Sequence, residues 1–196
     1  MTQPRAVLEA NARYLVEFVE AHNLCPFARG ARLAGELSRE VFPQTTREAA
    51  PVLAWIDSRE EKISVALAIF PNLAIDPPAF HAFCAAVRAA HTSETFYVVA
   101  FHPDGALDAS TPARLVPFLR RSPHPTLQFV RAKILDQVRG GHAGSVFAPS
   151  AQAAAALSRA VGVSESIAEA NFQTVLQEGA DTLAAEILRL RTVAAC

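Results

Sequence analysis

The chain has 196 residues, of which 51% are hydrophobic and 19% are charged, so it can bury a substantial core and global disorder is excluded. A formal net charge of −1 argues against a protein that binds nucleic acid with its whole surface, because such proteins carry a strong basic excess. The three cysteines, Cys25, Cys84 and Cys196, form no CxxC pair and no zinc-type spacing with histidine, so neither a disulfide framework nor a structural zinc is predicted.

The first half of the chain predicts helices that alternate with strands. Apolar residues recur at helical spacing over 4–22, a short strand is indicated within 36–44, and a helix over 46–58 follows. The continuous apolar run 63–70 predicts a fully buried strand. A further helix is predicted over 76–91, with Asp76 as a good N-cap ahead of two prolines.

The pattern continues as far as residue 140 and predicts an α/β domain over 1–140. Residues 96–101 predict a second buried strand, 105–125 a long ordered loop, and 127–138 a helix. We therefore expect a small three-stranded sheet with packing helices, and the sequence leaves both a parallel and a ferredoxin-like mixed sheet open.

The last part of the chain predicts a helical C-terminal extension over 141–196 that packs on the core. An alanine-rich stretch at 150–161 is followed by helical patterns at 164–177 and 181–192. In the last of these, we expect four residues to be buried: Leu183, Ile187, Leu188 and Leu190.

Cys25 lies in the string Asn23-Leu24-Cys25-Pro26-Phe27, where the first helix runs into a proline. Proline is well tolerated at the first position of a helix, so this cysteine can occupy the N-cap of the next one. A thiol at that place faces the partly positive end of the helix, which lowers its pKa and favours the reactive thiolate. The alternative is that Cys25 is a small buried hydrophobe.

His102 directly follows the strand predicted over 96–101, in the string Phe101-His102-Pro103-Asp104. Ligands of open parallel α/β sheets lie beyond the carboxyl ends of the strands, so a general base or a metal ligand is expected here. A residue before proline is held in an extended conformation, which orients its side chain. The alternative is a histidine that ends a strand and hydrogen-bonds a loop.

A basic segment, Arg120-Arg121-Ser122-Pro123-His124-Pro125-Thr126, precedes the helix predicted over 127–138. Arginine beside a helix N-terminus is a good partner for a carboxylate or a phosphate, and Ser122 or Thr126 can cap the helix. The alternative is a solvated basic face with ordinary capping.

Three blocks of sequence resemble the signature blocks of a bacterial family known as domain of unknown function 1415. They are NLCPFA at 23–28, FHPD at 101–104 and RSPHPTLQFVR at 121–131. The similarity in order and spacing covers roughly residues 5–138, and a weaker echo occurs around Glu169, Asn171 and Thr174. The resemblance implies no reaction, but it implies that four residues occupy motif positions of the family: Cys25, His102, Arg121 and Ser122.

Polar residues at the ends of regular elements favour a shared pocket. The first hypothesis is an enzyme for a small anionic substrate, a carboxylate or a phosphate, in which Cys25 is the nucleophile and His102 the general acid/base. Arg121 then stabilises negative charge. The substrate-binding residues of this hypothesis are Asn23, Ser122, Thr126 and Asn171. It predicts no cofactor and no metal.

Two alternatives of other classes stay open. A haem- or metal-binding protein uses Cys25 or His102 as ligand and pairs Arg121 with a propionate. A non-enzymatic interaction protein engages a partner, or a second copy in a homodimer, through the C-terminal helices. No run reaches the roughly 18 apolar residues of a membrane span, so we expect a cytoplasmic protein whose partners are neither membranes nor nucleic acids.

Overall fold

Helices and strands alternate along the computed structural model, which describes residues 3–25, 27–59, 61–91, 96–132 and 167–193. The helices are α1 (Pro4–Tyr14), α2 (Ala28–Leu33), α3 (Ala50–Asp57), α4 (Pro77–Ala90), α5 (Pro112–Leu119), α6 (167–178) and α7 (Ala180–Val193). A π-helical segment, Leu15–Glu20, continues α1. The strands are β1 (Leu37–Val41), β2 (Val65–Ile69), β3 (Phe96–Phe101) and β4 (Thr126–Arg131).

The four strands form one mixed sheet in the order β1-β2-β4-β3. β1 pairs parallel with β2, and β4 runs antiparallel to both β2 and β3. The first three strands therefore end at the same edge of the sheet, which is the edge where β4 begins. Thr126 pairs with Ile69 on one side and with Phe101 on the other. The residues that follow β3 and the residues that precede β4 consequently lie side by side.

The sheet has four strands where the sequence predicted three, because the stretch expected to be a helix from residue 127 begins as β4. A strand there supplies hydrogen-bond partners to the facing edges of β2 and β3, whose buried backbone groups need them. The all-parallel alternative is wrong, and a ferredoxin-like fold is not confirmed. The part of the expected helix beyond residue 132 lies outside the described residues, as does the alanine-rich stretch 150–161.

The stretch 105–125 is not the long loop that its composition predicted, because it contains α5. Thr111 caps this helix by accepting a hydrogen bond from the backbone N–H of Arg114, and Pro112 takes the first position. Asp76 caps α4 in the same way through the backbone N–H of Ala79, as predicted. Both helices thus begin with a capping residue followed by proline, a pattern that the sequence shows. This pattern was used to predict α4, but α5 was not predicted.

Two hydrophobic cores lie on opposite faces of the sheet, and β2 contributes to both. Val65, Leu67 and Ile69 belong to a core formed with the helices α1, α2, α5, α6 and α7. The alternate residues of the same strand, Ala66 and Ala68, belong to a second core formed with α3 and α4. This alternation explains why the run 63–70 is continuously apolar, since both faces of the strand are buried.

The C-terminal helix α7 packs its apolar side on the first core. Leu183, Ile187 and Leu190 are buried there, at the i, i+4, i+7 spacing of one helix face. Leu188, which was expected to be buried, is 58% exposed because it lies on the other side of the helix. The homodimer through these helices stays a prediction. Among the described residues, no helix has the length and apolar character that a membrane span requires.

Candidate functional site

A pocket of about 230 Å³ lies beside the carboxyl end of β3. Its walls come from the first turns of α4, the end of β3 with the loop after it, and the C-terminal part of α5. His81, His102 and Arg120 are its ionisable lining residues, and much of the remaining wall is apolar. The volume is below the range of about 300–1,000 Å³ typical for drug-sized ligands, which favours a compact ligand.

His102 forms part of the pocket wall, but its imidazole is fully engaged by the backbone. The N–H of Asp104 donates to Nδ1 at 3.1 Å, and Nε2 lies 3.0 Å from the carbonyl oxygen of Ile75. Because Nδ1 accepts a hydrogen bond, the proton is assigned to Nε2, which donates to Ile75. The residue is only 4% exposed. In this arrangement His102 ties the loop after β3 to the segment before α4, and neither ring nitrogen is open to a substrate, a metal or Cys25.

Arg121, Ser122 and Thr126 also make internal contacts. Arg121 Nε donates to the carbonyl oxygen of Gly105 at 2.7 Å, and its guanidinium lies 4.8 Å from the centre of the Phe118 ring. Ser122 Oγ and Thr126 Oγ1 donate to one acceptor, the carbonyl oxygen of His124, at 2.6 and 2.8 Å. These three predicted site residues therefore shape the loop between α5 and β4, and none of them lines the pocket.

Arg120 is the arginine that lines the pocket. Its carbonyl oxygen accepts the backbone N–H of His102 at 3.0 Å, which fastens the end of α5 to the end of β3. The residue is half-buried, and within the described part of the chain its guanidinium makes neither a hydrogen bond nor an ion pair. Burial lowers the pKa of Arg120, but an arginine keeps its charge in proteins. A half-buried cation without a partner is favourable for binding an anion.

His81 was not among the predicted site residues, although it lines the pocket from α4. Partial burial lowers the pKa of its imidazole, and the nearby charge of Arg120 acts in the same direction. Both effects favour the neutral imidazole, which is the form that accepts a proton. The sequence signal that could have found it is its place in the second turn of a helix capped by Asp76, close to a strand end.

Cys25 does not line the pocket, although the charge of Arg120 acts on its thiol. It is half-buried and packs against the first core. Burial raises the pKa of its thiol, and this effect outweighs the backbone N–H groups of Phe27 and Ala28 and the charge of Arg120, which all lower it. The predicted lowering of this pKa is therefore wrong. The helix α2 begins only at Ala28, and its N-cap is Phe27. Cys25 therefore lies two residues before the N-cap.

Two predicted substrate-binding residues lie close to Cys25, and neither of them lines the pocket. Asn23 is exposed and has a φ of 52°, in the left-handed region that asparagine tolerates better than most residues. Asn171, on α6, donates from Nδ2 to the carbonyl oxygen of Leu24 at 3.1 Å. Asn171 thus anchors the backbone just before Cys25. In the described residues, no group of three His, Cys, Asp or Glu side chains has a metal-binding arrangement.

The chain also matches a protein-family model over residues 6–146, under the description "Protein of unknown function (DUF1415)". The chain belongs to this family. The match confirms the resemblance carried by the three sequence blocks. No similar curated protein and no similar solved structure is found.

In this DUF1415 protein, the matched range contains the whole pocket wall, with His81, His102 and Arg120, and it also contains Cys25. The helices α6 and α7 lie beyond it. The family match thus covers the site without naming a reaction, and the chemistry must be argued from the geometry.

Proposed function

We propose that this DUF1415 protein is an enzyme that binds a small carboxylate or phosphate compound through Arg120 and uses Cys25 as its nucleophile. The observation that supports this most directly is that the half-buried Arg120 lines the pocket and that its guanidinium has no hydrogen-bond or ion-pair partner among the described residues. The charge of the same guanidinium also acts on Cys25, where it opposes the effect of burial, which raises the pKa of the thiol.

Arg120 has the properties of an anion-binding residue in a small apolar pocket. Ala100, Val116 and Pro117 contribute to the wall around it, and such surroundings weaken the competition of water for the charge. A guanidinium also presents paired N–H donors that match the geometry of carboxylate and phosphate oxygens. The anionic group of the substrate accordingly binds at Arg120, and the remaining atoms of the substrate lie near it.

Cys25 and His81 supply the chemistry of this proposal. Burial raises the pKa of the Cys25 thiol, while two backbone N–H groups and Arg120 partly oppose that effect. The sulfur forms a bond to an electrophilic centre of the bound compound as the bond from that centre to its leaving group breaks, and the leaving group departs with the proton of the thiol. His81, neutral and without a hydrogen bond to the described residues, takes the general acid/base role first assigned to His102. His102 instead holds the pocket wall through its two backbone hydrogen bonds.

An anion-binding protein without thiol chemistry is the second candidate. It is favoured by two observations on Cys25: this residue does not line the pocket, and burial raises the pKa of its thiol. Both candidates share the anion site at Arg120, so that site is tested first and the thiol second.

The first experiment measures the affinity of the protein for inorganic phosphate and for malonate by calorimetry. Arg120→Gln should weaken binding roughly tenfold or more, because a charge-assisted hydrogen bond contributes about 1.5–3 kcal/mol. Arg114→Gln is the matched control, since Arg114 lies on the same helix, is exposed and pairs with Asp108 at 3.0 Å. Equal affinities of the wild type and Arg120→Gln would overturn the anion site.

The second experiment follows alkylation of Cys25 against pH, with the labelled residue identified by mass spectrometry. Arg120 stabilises the thiolate, so Arg120→Gln should raise the pH midpoint and slow labelling at a fixed pH. Arg114→Gln should leave the midpoint in place. A midpoint that is the same in wild type and Arg120→Gln would separate the thiol from the pocket and leave the anion-binding protein as the better candidate.

A further inference from the structure

The loop that follows β3 is held by hydrogen bonds from three directions. Residues 102–105 form a turn, which we call the His102 turn, and the N–H of Gly105 donates to the carbonyl oxygen of His102 at 3.2 Å. The N–H of His102 donates to the carbonyl oxygen of Arg120. Arg121 Nε donates to the carbonyl oxygen of Gly105. His102 and Gly105 of this turn line the pocket. The hydrogen bonds fasten the turn to the segment that carries Arg120.

A residue from the far end of the chain closes this arrangement. Arg191, in the last turns of α7, donates from Nη1 to the carbonyl oxygen of Pro103 at 3.2 Å and to Asp104 Oδ1 at 3.3 Å. The backbone N–H of Asp104 in turn donates to His102 Nδ1. A continuous path of hydrogen bonds thus leads from α7 through the His102 turn to His102 and on to Ile75, just before α4.

We propose that Arg191 is a positioning residue for the anion pocket, acting on Arg120 and His102 through the His102 turn. The inference rests on the proposed anion binding at Arg120. Arg191 lies outside residues 6–146, so a helix beyond the family match completes a site within it. Arg191 does not touch the pocket itself. Its two contacts hold Pro103 and Asp104 in place, and Asp104 orients the imidazole that forms the wall.

A positioning role and a purely structural role predict different results. The ion pair between Arg191 and Asp104 is partly exposed, with 34% and 65% of the two side chains accessible, so it contributes little to global stability. Loss of the contacts that Arg191 makes with Pro103 and Asp104 should instead release the His102 turn. The imidazole then loses its fixed orientation, and Arg120 loses the backbone hydrogen bond that sets the end of α5.

The test compares Arg191→Ala with Arg189→Ala in the full chain. Arg189 lies two residues earlier in α7 and pairs with Glu17, away from the His102 turn. Arg191→Ala should weaken the binding of inorganic phosphate about fivefold. It should also change the ¹⁵N resonances of the His102 ring from those of a fixed Nε2–H tautomer to those of an averaged one. Arg189→Ala should change neither, and Arg191→Lys should restore part of the affinity.

Thermal unfolding of each variant checks that the comparison is made on folded protein. If Arg191→Ala binds phosphate like the wild type while Arg120→Gln does not, the positioning role is overturned and the proposed anion site stands. If Arg189→Ala loses as much affinity as Arg191→Ala, the effect belongs to α7 in general, which also overturns the inference. If Arg120→Gln binds phosphate like the wild type, the proposed anion site is overturned, and with it the positioning role of Arg191, which rests on that site.

Discussion

At the scale of single residues, Arg120 and Arg121 show that neighbouring residues of the same type can have different surroundings and therefore different roles. The two arginines are neighbours, yet one lines the pocket and the other is occupied by Gly105 and Phe118. Arg120 is the C-cap of α5 and Arg121 lies beyond the helix, so the backbone directs their side chains to different partners. The composition of the segment predicted an anion site at Arg121, but the arginine that lines the pocket is Arg120.

Gly105 tests the close contact that shapes this pocket. A Cβ at this position would lie 2.0 Å from the carbonyl oxygen of Pro117 and 2.8 Å from its carbonyl carbon, so the loop or α5 would have to move. Gly105→Ala should therefore lower the free energy of unfolding by about 2 kcal/mol or more, as measured by urea denaturation.

Gly30→Ala is the matched control for this substitution. Gly30 lies within α2 and has open space around the position of a Cβ. Replacing it with alanine should stabilise the protein by about 0.5–1 kcal/mol, because glycine is a poor helix former. An unchanged urea midpoint for Gly105→Ala would contradict the contact seen between Gly105 and Pro117.

At the scale of elements, β4 is a segment in which the local sequence pattern predicted a helix and the tertiary structure forms a strand. The segment TLQFVR has apolar residues that suit either a helix or a strand. Its neighbours β2 and β3 are separated in the sheet by the width of one strand, and β4 satisfies the backbone groups of both. Helical periodicity over 127–138 was therefore a weaker indicator than the need of two strands for partners.

A charge cluster at Glu17 joins the π-helical segment to α7 and predicts a pH dependence of stability. Glu17 accepts hydrogen bonds from Arg13 at 2.9 Å and from Arg189 at 3.1 Å. These bonds lower the pKa of Glu17 from 4.5 to about 2 in the folded protein. Since the folded pKa is the lower one, the stabilisation is fully present above pH 4.5 and is lost as the pH falls towards 2.

The measurement is the free energy of unfolding at several values of pH between 5 and 2. In Glu17→Gln this part of the pH dependence should be absent, and the curve should be flatter than that of the wild type. Arg189→Gln, which removes one of the two donors, should give an intermediate slope. Parallel curves for wild type and Glu17→Gln would show that Glu17 does not carry the effect.

At the scale of the whole molecule, the sheet joins two cores into one structure. β2 places alternate residues in each core, and α7 belongs to the first through Leu183. Trp55, the single tryptophan of the chain, packs against the second core on the opposite face. A perturbation at α7 should therefore reach Trp55 when the protein unfolds, although the two lie on different faces of the sheet.

Leu183→Ala tests this coupling. The side chain is fully buried, so its truncation should cost about 2–5 kcal/mol. Unfolding followed by Trp55 fluorescence and by far-ultraviolet circular dichroism should shift together to lower urea concentration. Leu188→Ala, at an exposed position of the same helix, should stay within about 0.5 kcal/mol of the wild type. A fluorescence transition that Leu183→Ala leaves in place would show that the C-terminal helices unfold as a separate unit.

The candidate site was partly readable from the sequence. The three blocks identified the family, and the strand ends located His102 and the basic segment on neighbouring parts of the chain. Sequence reasoning did not find His81, and it placed a lowered pKa on Cys25 where burial raises it. The place of His81 in the pocket and the pKa of Cys25 both depend on atoms from distant segments of the chain. The spacing of residues in the sequence does not predict those surroundings.

The sequence by itself determined the elements whose signals are local: the strands β2 and β3, the capped helix α4, and the buried face of α7 at Leu183, Ile187 and Leu190. The prediction that both strands are buried is correct for β2 and wrong for β3, which lies at the edge of the sheet and exposes Tyr97. Caps, proline positions and hydrophobic periodicity act between residues a few positions apart, so they can be read without a structure. Only the tertiary structure decided that β4 is a strand, that Arg120 lines the pocket, and that Arg191 reaches the His102 turn from α7. Those outcomes depend on hydrogen-bond partners and burial contributed by segments far apart in the chain.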